Sequence, residues 1–197
     1  VIQNRPEVVI QTGNVNAYLL GSGVPAKKSL LRKITMEMAN RANLPKVLDA
    51  GALYLAGTSK SPTIITPHAG ELAELLNASA KTIEEDPMRY TTEAANKFRV
   101  TVLLKGNETV VANSHRVIKL PSATSWLATA GTGDVLAGIL GALLALNHEK
   151  ITKDNLIELG ATASYIHAQA AANSSKGPIN LEKMIDQIAL EIGVLSH

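Results

Sequence analysis

The segment ATAGTGDVLAGILGALLAL, Ala128 to Leu146, limits what this chain can fold into more than any other stretch. Gly131 and Gly133 bracket a threonine, Asp134 follows at once, and a small-residue apolar run begins. Glycines reach φ > 0 and let backbone N–H groups converge without a Cβ in the way. A helix starting near Gly133 adds its own unpaired N–H groups and positive dipole end, which together make an anion site. Gly131, Thr132 and Gly133 are therefore the expected anion hole, with Asp134 in the first helical turn. A carboxylate there repels an anion unless it performs a task, such as taking a proton from an attacking hydroxyl. A positioned general base of that kind contributes ~10²–10⁴ in rate. The plainer reading is an acidic residue that favours a helix start after a glycine turn.

Neither common phosphate motif accounts for the segment. No GxxxxGK[ST] occurs in the chain, and Leu136 stands where a dinucleotide fingerprint places its third glycine. Gly138, Gly141, Ala137, Ala142 and Ala145 give the helix a smooth surface, read as close packing against neighbours.

Upstream, short β-branched runs alternate with amphipathic ones. Strands are predicted at 6–10, 17–21, 46–50, 62–66, 100–105, 109–112 and 116–120, and helices near 29–43, 70–77, 89–98, 133–147, 154–172 and 181–193. The early strands read as continuous apolar runs, the signature of a parallel sheet covered on both faces. The last two, separated by Asn113 and Ser114, read as an antiparallel hairpin on one edge. One α/β domain follows, with helices gathered towards the C-terminus.

Ligands of such sheets sit beyond the carboxyl ends of the strands. Gly21 and Gly23, Asp49, the Thr66-Pro67-His68 run, and Lys105 with Gly106 all fall at that kind of position. In TPHAGELAELL, Pro67 stiffens the strand exit and Gly70 turns the chain into a helix near Glu71, holding His68 at the rim of a crevice. In LLKGNETVVA, Lys105 is placed to reach a phosphate and the backbone of Gly106 to Thr109 to lie along a nucleotide.

Composition removes several function classes. Nineteen Lys and Arg against 17 Asp and Glu leave a net charge of +2, with one Phe and one Trp. That is neither a basic field for phosphate backbones nor a set of rings for stacked bases. The absence of cysteine excludes disulfides and a thiol nucleophile. The longest apolar run, Val135 to Leu146, falls short of the ~20 residues a bilayer span needs. No signal peptide is visible, the sequons at Asn77, Asn107 and Asn173 read as chance, and a cytoplasmic protein is expected.

Three motifs in one order, TPHAGE, LKGNETVV and AGTGDVLAG, with VLDAGAL before them, resemble the ADP/ATP-dependent NAD(P)H-hydrate dehydratases of the ribokinase-like superfamily. The resemblance runs from about Pro6 to the C-terminal helix. It implies a ribokinase-like three-layer sandwich over 1–197: a mostly parallel sheet, helices on both faces and an antiparallel edge hairpin. The chain, which lacks an initiator Met, is expected to lack an N-terminal portion of that domain. GSGVP stands where the family tends to show GPGLG or GPGLP, and PSATSWLAT departs from its asparagine- and glycine-containing approach.

Carried over residue by residue, the resemblance implies that Gly23, His68 and Asp134 contact hydrated NADH or NADPH. Lys105, Gly106, Asn107, Glu108, Thr109 and Gly133 hold the adenine nucleotide, ADP or ATP, with Mg²⁺ expected and its ligands unassigned. Asp134 is the implied base, aimed at the hydroxyl that receives a phosphoryl group before phosphate leaves. A homo-oligomer, a tetramer in many relatives, is also implied. Two other readings remain at this stage: a ribokinase-like kinase of a small hydroxylated vitamin precursor, and a non-enzymatic nucleotide-binding module. A hydride-transferring dehydrogenase is disfavoured by the missing fingerprint glycine.

Overall fold

Short apolar runs with alternate residues directed to opposite faces need a cover on each side. The computed structural model, which describes residues 13–25, 29–40 and 43–195, supplies both. Four parallel strands, β1 (Tyr18–Leu20), β2 (Lys46–Leu48), β3 (Thr63–Ile65) and β4 (Thr101–Leu104), lie side by side in chain order. β5 (Val110–Ala112) and β6 (Val117–Lys119) extend the sheet antiparallel, so β4–β5 turns back as well as the predicted edge hairpin. β2 to β5 are buried throughout, whereas edge strand β6 is largely open. The strand predicted at 6–10 lies outside the described residues.

One face of the sheet presents Leu20, Leu48, Ile65, Val102 and Leu104 to α1 (Leu30–Asn40), α2 (Ala69–Leu76), α3 (Ala80–Glu85) and α4 (Pro87–Phe98). The intervening residues Val47, Ile64, Leu103 and Val111 meet α5 (Thr132–Leu146) and α6 (Leu156–Ser174) on the other face. α7 (Leu181–Leu195) packs outside against α6. Helices thus cover both faces, and no strand follows β6 among the described residues, so the C-terminal part is helical as expected. The dyad alternation of each strand dictates two separate cores.

Four elements lie outside the predicted set: α3, and 3₁₀ turns over Ala50–Leu55, Ser125–Leu127 and His148–Lys150. No side chain caps the Ala50–Leu55 turn, whereas α3 and α4 start at local caps. Ser79 accepts the N–H of Thr82 to start α3, and Asp86 accepts that of Arg89 to start α4 with Pro87 at its first position. Such caps satisfy donors that the helix itself leaves unpaired. The smooth face of α5 is used at Gly141, where an added Cβ would meet Leu19 Cβ at 3.4 Å. Gly138 is exposed, and an added Cβ there meets nothing within 4 Å, so close packing does not explain it.

Candidate functional site

The four parallel strands end together and are stitched to one another there. Asp49 N donates to Leu20 O (2.9 Å), Thr66 N to Leu48 O (3.1 Å) and Lys105 N to Pro67 O (2.8 Å). Gly21 has φ +132°, and a Cβ built on it would lie 1.7 Å from Asp49 O, so no side chain fits between these two strand exits. Asp49 is 3% exposed and accepts from Thr66 Oγ1 (2.7 Å) and Lys105 Nζ (2.9 Å). A buried carboxylate is tolerated because two donors, one of them charged, satisfy it. Lys105 Nζ also stands 3.9 Å from Glu71 Oε2.

His68 caps α2. Its Nδ1 accepts from Gly70 N (3.1 Å) and Glu71 N (3.2 Å), while Glu71 Oε2 accepts from His68 N (2.8 Å). In this reciprocal box the ring stays mostly exposed and its Nε2 lies 3.6 Å from Glu71 Oε2. The helix begins at Ala69, and Gly70 lies inside it; an added Cβ would approach His68 Cε1 to 3.0 Å.

At the start of α5, Gly131 is the N-cap with φ 91°, and no side chain caps the helix. Thr132 N turns to Thr129 O (3.3 Å), and the Thr132 hydroxyl lies within hydrogen-bond distance of Leu127 O (2.7 Å) and Thr129 O (2.8 Å). Thr132 therefore fastens the preceding loop. The N–H groups of Gly131, Gly133 and Asp134 make no hydrogen bond among the described residues, so the open donors lie on either side of Thr132. An added Cβ at Gly133 would stand 3.7 Å from Lys105 Nζ, which places the ammonium beside this turn. Asp134 is exposed and accepts from Ser22 Oγ at 2.5 Å, joining the Gly21–Gly23 turn to α5.

Two cavities share Lys105, Gly106 and Asn107 as a common wall. One, about 420 Å³, runs between Lys105–Thr109, the 123–128 loop, Thr132–Gly133, and Ser164 and His167 of α6. The other, about 490 Å³, is lined by His68, Gly70, Glu84, Lys105, Gly106, Asn107 and Glu108, with Glu108 paired to Lys119 (2.7 Å). Gly23 and Asp134 line neither. The predicted nucleotide residues except Glu108 thus meet around the first cavity, and His68 and Glu108 meet across the second.

Sequence reasoning gave no role to Ser22, Glu71, Ser164 or His167. Ser22 was signalled by its place between two glycines, and Glu71 by the box spacing after His68. His167 carries no local signal. It is 7% exposed, its Nε2 lies 2.8 Å from Thr132 O, and burial lowers its pKa, opposed by that bond and assisted by nearby Lys105.

A sequence profile described as NAD(P)H-hydrate dehydratase matches residues 3–190. A bifunctional NAD(P)H-hydrate repair enzyme of Mycobacterium leprae is 33% identical over 191 residues, covering 90% of this chain and 38% of that protein. The ADP-dependent (S)-NAD(P)H-hydrate dehydratase of Neisseria meningitidis is 30% identical over 188 residues, 87% of this chain and 62% of that one. The chain thus spans 38% and 62% of the lengths of these two relatives. The ADP/ATP-dependent NAD(P)H-hydrate dehydratase from Bacillus subtilis, crystallised with ATP/Mg²⁺ and soaked with CoA, superposes with a TM-score of 0.82 at 23% identity, over 98% of this chain and 76% of that one. The fold is the expected ribokinase-like one. From the profile match and the identity to curated relatives, the chain belongs to the NAD(P)H-hydrate dehydratase family.

Proposed function

We propose that this chain restores hydrated NADH and NADPH by nucleotide-driven dehydration. The observation that carries the reading is an exposed carboxylate, Asp134, in the first turn of α5 among open N–H donors and held by Ser22. The hydroxyl of the hydrated nicotinamide ring gives its proton to Asp134 as its oxygen attacks the terminal phosphoryl group of ADP or ATP. Charge that develops on the phosphoryl oxygens is met by the N–H groups of Gly131 and Gly133 and by Lys105. The O–P bond so formed leaves AMP when ADP is the donor, and cleavage of the ring C–O bond, with loss of a proton from the neighbouring ring carbon, then releases phosphate and leaves NADH or NADPH. Ser22 O–H, donating to Asp134, fixes where that carboxylate points.

The cavity behind Lys105 and Gly133 suits the adenine nucleotide, and Gly23, His68 and Asp134, all outside that cavity's lining, are assigned to the hydrated coenzyme. ADP is the preferred co-substrate in this reading. Among the described residues no group of three or more His, Asp or Glu could hold a metal, so Mg²⁺ would be held chiefly by phosphate oxygens. No step is assigned to it. No described helix is long and apolar enough to cross a membrane, and we place the enzyme in the cytoplasm. Apolar side chains open on α1 (Leu30, Ile34) and α7 (Leu190, Val194) support a homo-oligomer, which sedimentation would measure.

The test is product analysis. Hydrated NADH with ADP should give NADH, AMP and phosphate in equal amounts. Turnover confined to thiazole or pyrimidine alcohols, with a stable phosphate ester as product, would reassign the chain as a kinase.

A further inference from the structure

The 420 Å³ cavity has one wall that no motif identifies. Ser164 and His167, one turn apart on α6, both line it although they are only 5% and 7% exposed. The remainder of that wall is apolar, with Leu127, Leu136 and Ala168. A carbonyl oxygen only accepts, so the contact with Thr132 O requires His167 Nε2 to carry the proton. Nδ1 is then a bare acceptor, and it makes no hydrogen bond among the described residues. Ser164 Oγ likewise makes none, yet it is not sealed from solvent as Thr101 Oγ1 is. Polar atoms on buried side chains ordinarily find partners. Here two such atoms meet the same opening.

We propose that Ser164 and His167 hold the nucleoside half of the adenine nucleotide, while the α5 turn and Lys105 hold its phosphates. This rests on the nucleotide reading of the cavity and assigns its far wall. His167 Nδ1 suits a ligand N–H or O–H donor, such as the exocyclic amine of adenine or a ribose hydroxyl, and Ser164 both gives and accepts. The apolar side chains beside them suit the faces of a purine. The same histidine, through Thr132 O, steadies the helix start that carries the phosphate donors.

The test is titration calorimetry on the whole chain with two probes, ADP and inorganic pyrophosphate. Ser164→Ala removes one hydroxyl. His167→Gln keeps an N–H where Nε2 faces Thr132 and removes the Nδ1 acceptor. Each variant should weaken ADP binding by roughly three- to tenfold and leave pyrophosphate binding unchanged. Melting of the ligand-free variants at the wild-type temperature separates this effect from misfolding, and Ser164→Ala, which breaks no internal bond, is the safer of the two. Equal ADP affinity in wild type and both variants overturns the proposal. So does an equal loss for ADP and pyrophosphate, which would confine His167 to bracing the phosphate turn. Wild-type protein that binds pyrophosphate but not ADP would instead overturn the nucleotide reading itself.

Discussion

The two ends of the sheet hold similar materials and put them to different use. At the amino ends, Thr63 and Thr101 open on a cavity of about 280 Å³ rimmed by Arg99, His115 and Lys153. At the carboxyl ends, Asp49, Thr66 and Lys105 bond to one another across three strands, and α5 presents open N–H groups beside them. Thr101 Oγ1 is the one sealed side-chain polar atom without a partner among the described residues, and Asp154 lines the amino-end cavity beside its cations. Lys46 at that end is 1% exposed, and its ammonium donates inward to Leu44 O (2.9 Å) and Ser61 Oγ (2.5 Å), with burial lowering its pKa. A hollow and positive charge do not make a phosphate site. Donors that converge and are fixed from behind do.

The largest effect that would break this contrast is chemical. Asp134→Asn should lower kcat by ~10²–10⁴ while nucleotide affinity stays near wild type, since the N–H donors are untouched. Full activity in that variant, measured as NADH regenerated per enzyme, would remove the carboxyl-end assignment. Next is Lys105→Met, which leaves buried Asp49 without its charged partner and should cost roughly 3 kcal/mol in urea unfolding together with most ADP affinity. Gly21→Ala should destabilise by about 2 kcal/mol or more, because the new Cβ meets Asp49 O. Loss of stability with ligand affinity retained in the refolded fraction would show that this turn only joins strands.

At the amino end the expected change has the opposite sign. Thr101→Val removes an unpartnered hydroxyl at constant shape and should stabilise the fold by ~1 kcal/mol with ADP binding unaltered. The smallest effect is that of pH. His167 is held below its ordinary 6.5, so in the window between the two values the unfolded chain binds more protons than the folded one. Stability therefore rises with pH through that window, is complete above about 6.5, and is lost as the solution is acidified. Denaturant midpoints in that range should flatten in His167→Gln. An unchanged slope would show that the ring is not what titrates.

What could be seen in the sequence was local. Strand ends carrying Gly21, Asp49, Thr66 and Lys105, and the turn around Gly131, announce themselves within a few residues of their own elements. The sheet order follows from their alternation with helices. The roles of the same residues were not legible, because partners are distant: Asp49 and Lys105 are 56 positions apart, Thr132 and His167 35, and Ser22 and Asp134 112. His68 shows both cases. Its place at a strand end was readable, yet its cap on α2 turns one nitrogen inward and sets the other 3.6 Å from Glu71 Oε2. α3 has six residues, and caps are nearly all that defines it against a background of weak periodicity.

Because Lys105 already leans on Asp49, any oxyanion that approaches it shares the ammonium with a resident rival. Chloride or bicarbonate, touching the lysine alone, gains little from a cation neutralised in advance. In the proposed reading, a chain of phosphates that spans from Lys105 to the Gly133 amide would compensate for the sharing with contacts neither of those small anions can make. In that reading, discrimination against the common salts of the cell would then follow from the crossing of two strand exits, before any coenzyme arrives.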